Sequence, residues 1–281
     1  MNVRAWLLSA RDCLDDLDAR LLLQHVTGLS HADLIVRPET PLTDTQAARL
    51  EMLRIRRVNG EPLAYLTETA GFHGRLFRVT PAVLTPRPET EELVDLALEK
   101  LAGIAAPRVL DLGAGSGAIA ITLALECPRA RVSAVERSQA ALEIAAQNGR
   151  DLGAQVRWLA GDWFAPLAAT PERQHLIVAN PPYLAADDPH LAGDGVAFEP
   201  RSALTDEADG LQCIRHIVVH APRYLEKDGC LLLEHGYTQG KAVRRLLRAA
   251  GFQDVQTWRD LGKHERMSSG VLRTAIPVCP R

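Results

Sequence analysis

Two hydrophobic rhythms divide the chain. From Val3 to about Leu66 apolar residues recur at helical spacing, at Leu14, Leu17, Leu21 and Leu22 and again at Leu50, Leu53 and Ile55, a pattern that predicts amphipathic helices. Asp15, Asp16 and Asp18 suit a helix N-terminus, where carboxylates meet the positive end of the dipole. Thr43, with Gln46 three residues on, predicts a second start closed by reciprocal capping. Beyond Gly71 the rhythm shortens. Leu76, Phe77, Val79, Val83 and Leu84 read as two short strands with a turn at Thr80-Pro81. The stiff segment Thr85-Pro86-Arg87-Pro88-Glu89-Thr90-Glu91-Glu92 then opens a helix from Leu93 to Leu101.

From Arg108 onward short branched runs alternate with amphipathic stretches. A strand, a glycine-rich turn and a helix Ile119 to Leu125 come first, followed by a strand Val132 to Val135 and a helix Ala140 to Gln147. A strand Val156 to Leu159 follows, and the apolar run that begins at Leu176 ends in Asn180-Pro181-Pro182-Tyr183. After an irregular acidic stretch from Leu184 to Asp209 come a helix Cys213 to Tyr224, a strand Cys230 to Leu233, a helix Val243 to Ala250, and strands Val255 to Trp258 and Val271 to Ala275. Such alternation implies a largely parallel sheet covered on both faces. The expected organisation is a helical domain over residues 1–70, a β-hairpin linker over 71–88 and an α/β domain over 89–281. The long loop after Tyr183 reads as a lid or binding segment.

Composition narrows the function classes. The chain has 281 residues, 32 Lys plus Arg against 35 Asp plus Glu, and a formal charge of -3. It therefore lacks the basic excess of a dedicated nucleic-acid binder. The cluster Arg54, Arg56 and Arg57 reads as a solvated helix face. The start, Met1 to Asp12, is interrupted by charge too early for a signal peptide, and no apolar run approaches membrane-spanning length, so a cytoplasmic protein is expected. Cys13, Cys127, Cys213, Cys230 and Cys279 form no C-x-x-C pair, and no disulfide framework or zinc knuckle is indicated. His216 and His220 stand four apart, but Ile217 replaces the glutamate that a zinc protease motif requires, so no metal is expected.

Chemistry concentrates in two stretches. In Asp111-Leu112-Gly113-Ala114-Gly115-Ser116-Gly117-Ala118 the glycines let a ligand approach the backbone at a helix N-terminus, and Glu136 ends the next strand where a ribose hydroxyl would be gripped. Glycine spacing alone does not separate a nicotinamide from an adenosylmethionine site; Asp111 and the additional Gly117 favour the methyl donor. In Asn180-Pro181-Pro182-Tyr183 neither proline donates a backbone hydrogen bond, so their carbonyls and the Asn180 side-chain oxygen form a rigid set of acceptors suited to a planar amino group. Tyr183 adds a flat face for stacking.

Taken together, Gly60 to Tyr65, Thr85 to Glu91, Asp111 to Gly117, Gly161-Asp162-Trp163, Asn180 to Tyr183, Phe198-Glu199-Pro200 and Asp209-Gly210-Leu211 resemble the HemK/PrmC protein-glutamine methyltransferases over essentially the whole chain. His235 departs from the isoleucine common there. The resemblance implies a Rossmann-like class I methyltransferase domain behind the helical domain and hairpin. It implies S-adenosyl-L-methionine over Gly113, Ala114, Gly115, Ser116 and Gly117, with its ribose on Glu136, its adenine near Asp162 and Trp163, and Asn180 beside it. The implied substrate is the glutamine of a Gly-Gly-Gln loop in peptide chain release factors, with Asn180, Pro181, Pro182 and Tyr183 as the catalytic set and no direct nucleic-acid or membrane partner. The rival readings are an amino-group methyltransferase acting on ribosomal-protein glutamine or a nucleic-acid base, favoured locally by Lys241, Arg244, Arg245 and Arg248, and a non-catalytic partner-binding module.

Overall fold

Capping chemistry sets the first helices. α1 (Val3–Ala10) starts where the Asn2 side chain accepts from the Ala5 amide, and α2 (Asp16–Thr27) where Asp15 accepts from the Asp18 amide at 2.7 Å. α3 (His31–Val36) opens with a Ser30/Asp33 capping box and α4 (Asp44–Val58) with the expected Thr43/Gln46 box; α5 (Leu63–Thr67) follows. Their apolar stripes meet in one core that includes Val3, Trp6, Leu22, Leu23, Leu50 and Leu53. The three arginines expected on a solvated face are all ion-paired within this unit: Arg54 with Glu51, Arg56 with Glu61 of the α4–α5 connection and Arg57 with Asp18, each at 2.5 Å.

The computed structural model describes residues 1–169, 172–193 and 195–273, and these form two units. One is Met1–Thr69 with Ala192–Phe198; the other is the remainder. Part of the long loop after Tyr183 thus groups with the helices, where Phe198 lies beside Gly60.

In the second unit the hairpin is earlier than its apolar residues suggest. β1 (Thr69–Phe72) and β2 (Arg75–Arg78) turn at His73-Gly74, both with positive φ, rather than at Thr80-Pro81. The sequence signal misleads because Val79 and Val83 are buried as loop residues, so their hydrophobicity reports packing and not strand. The turn is pinned to α6 (Pro88–Leu101) by the His73 amide, which donates to Glu91 at 2.8 Å.

Among the described residues the main sheet has seven strands. β3 (Arg108–Leu112), α7 (Ala118–Glu126), β4 (Arg131–Glu136), α8 (Gln139–Leu152), β5 (Val156–Ala160) and β6 (Gln174–Ala179) come first. After α9 (Arg201–Leu204) and α10 (Gln212–His220) follow β7 (Leu225–Glu234), α11 (Gly240–Ala249), β8 (Gln253–Arg259) and β9 (Glu265–Leu272). The order is β5-β4-β3-β6-β7-β9-β8, parallel except where β9 pairs antiparallel with β7 and β8. The last strand begins six residues before its expected start at Val271, because its inner positions are Ser268, Ser269 and Gly270, small residues that close packing selects without a hydrophobic signal. Residues 274 and 275 of the expected strand, and Cys279, lie outside the described residues.

Side chains alternate across this sheet with period two. Val109, Leu176, Val178, Cys230 and Leu232 face α6 and α7, whereas Leu110, Leu112, Ile177, Ala179, Leu231 and Leu233 face α10 and α11. The same alternation assigns Asp111, Asn180 and Glu234, at the C-terminal ends of β3, β6 and β7, to the α6 side.

Candidate active site

Consecutive strands depart from β3 in opposite directions, toward β4 on one side and β6 on the other. A ligand crevice belongs outside the strand C-termini at that reversal. A cleft of about 680 Å³ opens there, lined by Gly113, Ala114, Gly115, Ser116, Glu136, Asp162, Trp163, Asn180, Thr90 and Pro182 among others. That volume lies in the small-molecule range of roughly 300–1,000 Å³. Pro86 and Arg87 line it from one segment and Pro200 to Ala203 from another. Buried Glu199 ties the two segments together by accepting from the Thr85 amide at 3.2 Å and pairing with Arg87.

The glycine turn is shaped from beneath. Gly117 (φ 83°) begins α7, and a Cβ there would stand 2.8 Å from Ile121 and 3.0 Å from Trp158, so this glycine serves close helix packing and does not line the cleft. Glu136 accepts from the Gly115 amide at 2.9 Å and from the Ser138 amide at 2.8 Å. Each oxygen keeps a lone pair, so the carboxylate braces the turn while remaining available to a hydroxyl. Trp163, with a positive φ of 45°, places its ring 3.8 Å from where a Gly113 Cβ would be. Asp162 is exposed at the cleft rim.

Asp111 lies under this turn with no solvent exposure, and neither oxygen has a hydrogen bond of normal geometry among the described residues. Burial pushes its carboxyl up to about 7, and the Glu136 charge adds to the rise; the Ala120 amide is near enough to oppose it without reaching hydrogen-bond alignment. Asp111 does not itself line the cleft, but a cationic group bound over the turn would favour its ionised form, and an amino-acid ammonium is such a group. The donor set therefore fits S-adenosylmethionine: backbone approach at Gly113 and Gly115, a hydroxyl acceptor at Glu136, an aromatic wall at Trp163 and a buried carboxyl beneath the turn that a cationic end would ionise.

The acceptor stretch is split by the fold. Asn180 and Pro182 line the cleft; Pro181 is buried and Tyr183 half-buried, and neither lines it. The Tyr183 ring packs on the core facing α10 and α11, and its hydroxyl points to Glu234 at 3.5 Å. Asn180 Nδ2 donates to Thr90 Oγ1 at 3.2 Å, and Thr90 donates in turn to Glu234 at 2.8 Å. Glu234 is 2% exposed; burial pushes it up to about 7 against the pull of Thr90 and Arg266. Sequence reasoning missed the roles of Thr90 and Glu234. The signal for Glu234 was a carboxylate closing the apolar run Cys230 to Leu233.

Fold and cleft define a class I methyltransferase, and comparison with known proteins narrows the class. Residues 6–67 match the family model described as PrmC N-terminal domain, and residues 91–193 the methyltransferase small domain. The chain is 52% identical over 265 residues to the release factor glutamine methyltransferase of Burkholderia pseudomallei, covering 92% of this chain and 93% of the relative. It is 50% identical over 259 residues to that of Bordetella pertussis, covering 92% and 96%. Among solved structures a T. thermophilus 16S rRNA methyltransferase in complex with AdoMet and guanosine aligns with a TM-score of 0.54 at 21% identity, over 73% of this chain and 50% of that one, a likeness of fold. The chain belongs to the release factor glutamine methyltransferase family. Among the described residues no helix is long and apolar enough to cross a membrane.

Proposed function

We propose that the protein transfers a methyl group from S-adenosylmethionine to the side-chain amide nitrogen of the glutamine in the Gly-Gly-Gln motif of class I peptide chain release factors. The observation that carries this reading is the state of Asn180. Its Nδ2 is committed to Thr90, which leaves Oδ1 as the acceptor at a cleft shared with the glycine turn. An acceptor there suits a substrate that presents N–H groups.

S-adenosylmethionine supplies an electrophilic methyl group on a sulfonium, whose C–S bond breaks as the methyl group is transferred and whose sulfur leaves as a neutral thioether. Gly113, Ala114, Gly115 and Ser116 would hold its amino-acid end above Asp111, Glu136 its ribose, and Asp162 and Trp163 its base, with Gly117 setting the turn. A glutamine amide nitrogen is a weak nucleophile because its lone pair is delocalised into the carbonyl. Asn180 Oδ1 accepting one N–H and the carbonyl of Pro181, whose ring is buried and does not line the cleft, accepting the other would favour a pyramidal nitrogen, its lone pair turned toward the methyl group. Pro182 stiffens that carbonyl, and Tyr183 anchors the stretch through its ring and hydroxyl. No side chain is required as a strong base before attack, since orientation supplies the rate. The nitrogen's proton leaves to solvent once the new C–N bond has formed.

The helical unit holds no glycine turn and no acceptor stretch, and its role in this reading is recognition of the protein substrate. Incubation with labelled methyl donor and purified release factor, followed by mass mapping, tests the proposal. One methyl group on the Gly-Gly-Gln glutamine is expected, with intact factor far better than a short Gly-Gly-Gln peptide. Label on another residue, or only on RNA, overturns it.

A further inference from the structure

We infer that Glu234 fixes which end of the Asn180 amide faces the acceptor cleft, acting through the Thr90 hydroxyl, so that Thr90 and Glu234 are positioning residues for methyl transfer. This rests on Asn180 being the acceptor of the substrate N–H.

An asparagine amide has two ends of nearly equal shape and opposite hydrogen-bonding character. Presenting Oδ1 to an amide nitrogen gives a hydrogen bond, whereas presenting the NH₂ group sets donor against donor. The backbone at Asn180 does not choose between them. The choice falls to the group behind it, Thr90 Oγ1, 3.2 Å from Nδ2. A hydroxyl has a single hydrogen. If that hydrogen points to Asn180, Oδ1 turns inward and the wrong end faces the cleft; if it points elsewhere, only lone pairs remain and Nδ2 turns inward.

Glu234 takes that hydrogen. Its Oε2 is 2.8 Å from Thr90 Oγ1, both residues are buried, and above about pH 7, where this carboxyl is ionised, it has nothing but acceptors to offer. The other oxygen faces the Tyr183 hydroxyl at 3.5 Å, so both hydroxyls around this carboxylate are oriented by it. Register makes the arrangement a property of the sheet: Ala179 pairs with Leu233 across β6 and β7, which brings Asn180 and Glu234 to neighbouring strand ends on the α6 side, with Thr90 of α6 between them.

The test compares Thr90→Val, Thr90→Ser and Asn180→Ala, singly and as Thr90→Val with Asn180→Ala, in single-turnover methyl transfer to intact release factor at saturating donor. Valine keeps the volume and loses the hydroxyl; serine keeps the hydroxyl and loses a methyl group. The expected result is a fall of about 10- to 100-fold for Thr90→Val, a rate within about threefold of wild type for Thr90→Ser, unchanged donor affinity by calorimetry, and no further loss when Thr90→Val is added to Asn180→Ala. A Thr90→Val enzyme at the wild-type rate beside a slow Asn180→Ala enzyme overturns the inference and leaves the acceptor reading standing. Equal losses in the valine and serine variants assign Thr90 to packing and also overturn it. Asn180→Ala at the wild-type rate removes the acceptor reading and the inference together.

Discussion

Asn148 stands 32 residues after Ser116 in the chain, and its buried side chain donates to the Ser116 carbonyl at 2.8 Å. The same amide donates to the Arg78 carbonyl at 3.0 Å and accepts from the Arg78 amide at 2.8 Å. One side chain of α8 thereby joins the end of the hairpin to the floor of the glycine turn. Asn148→Leu fills the space and removes all three hydrogen bonds, including the one to the carbonyl of buried Ser116, whose loss costs about 1–3 kcal/mol. A fall in denaturation midpoint together with weaker donor binding is expected by urea titration and calorimetry. Full stability would show that water replaces the amide.

Glu136 both braces the turn and stands ready for a hydroxyl. Glu136→Ala removes a charged acceptor, so donor binding should weaken by about 1.5–3 kcal/mol. Glu136→Gln keeps one acceptor and should fall between. An unchanged dissociation constant in the alanine variant would refute the ribose assignment.

Asp111 and Glu234 tie stability to pH in the direction opposite to ordinary ion-paired carboxylates. Both are raised by burial to about 7 in the folded protein, above the unfolded range of roughly 4. The native state therefore binds more protons than the unfolded chain between these limits. Stability contributed by their protonation is present below about pH 4 and is lost as pH rises toward 7, by at most about 1.4 kcal/mol per pH unit per group. Asp111→Asn, which is neutral throughout, should gain stability relative to wild type as pH rises from 5 to 8. Parallel denaturation midpoints for the two proteins across that window would rule this out.

The α/β core was legible because its strands are branched apolar runs bounded by glycine and proline, and the cleft-lining residues Gly113 and Asn180 because they interrupt those runs. Three things were not. The hairpin turn at His73-Gly74 was masked by Val79 and Val83, which are hydrophobic for packing alone. β9 was masked by Ser268, Ser269 and Gly270, buried residues without hydrophobicity. Thr90, Asn148 and Glu234 act through contacts 90, 32 and 144 residues away in the chain, distances at which no local pattern speaks.

Gln239 closes the acceptor stretch from above, its Nε2 donating to the Tyr183 carbonyl at 2.9 Å and to the Gly210 carbonyl at 3.1 Å. Gly210 has φ 75°, and a Cβ there would stand 2.4 Å from the Tyr183 carbonyl oxygen. Gly210→Ala must therefore displace the loop that carries Asn180 or shift itself. Turnover should drop at least about tenfold, as small misplacements of reacting groups do, while donor affinity stays near wild type. A wild-type turnover number would mean that the loop is free to move without consequence for the acceptor.

Asn180→Asp separates hydrogen bonding from charge at the acceptor. Asn180→Ala removes the acceptor altogether and, as loss of one preorganised polar group, should lower the single-turnover rate about 100- to 1,000-fold without weakening donor binding. Aspartate restores acceptor oxygens toward the cleft but has no hydrogen for Thr90 Oγ1, whose own hydrogen is held by Glu234. An ionised aspartate would then place a second carboxylate within reach of buried Glu234, and like charges raise each other's proton affinity. The variant should be slow at neutral pH, where one proton is shared between the two carboxyls, and its pH–rate profile should differ from that of wild type, in which Glu234 titrates without a second carboxyl beside it. Because a protonated aspartate is able to donate to Thr90 and still present its other oxygen to the substrate, the rate should rise as pH falls below about 7. The pH dependence of single-turnover methyl transfer, compared between wild type and Asn180→Asp, is the measurement; identical profiles would mean that Asn180, Thr90 and Glu234 do not share their hydrogens.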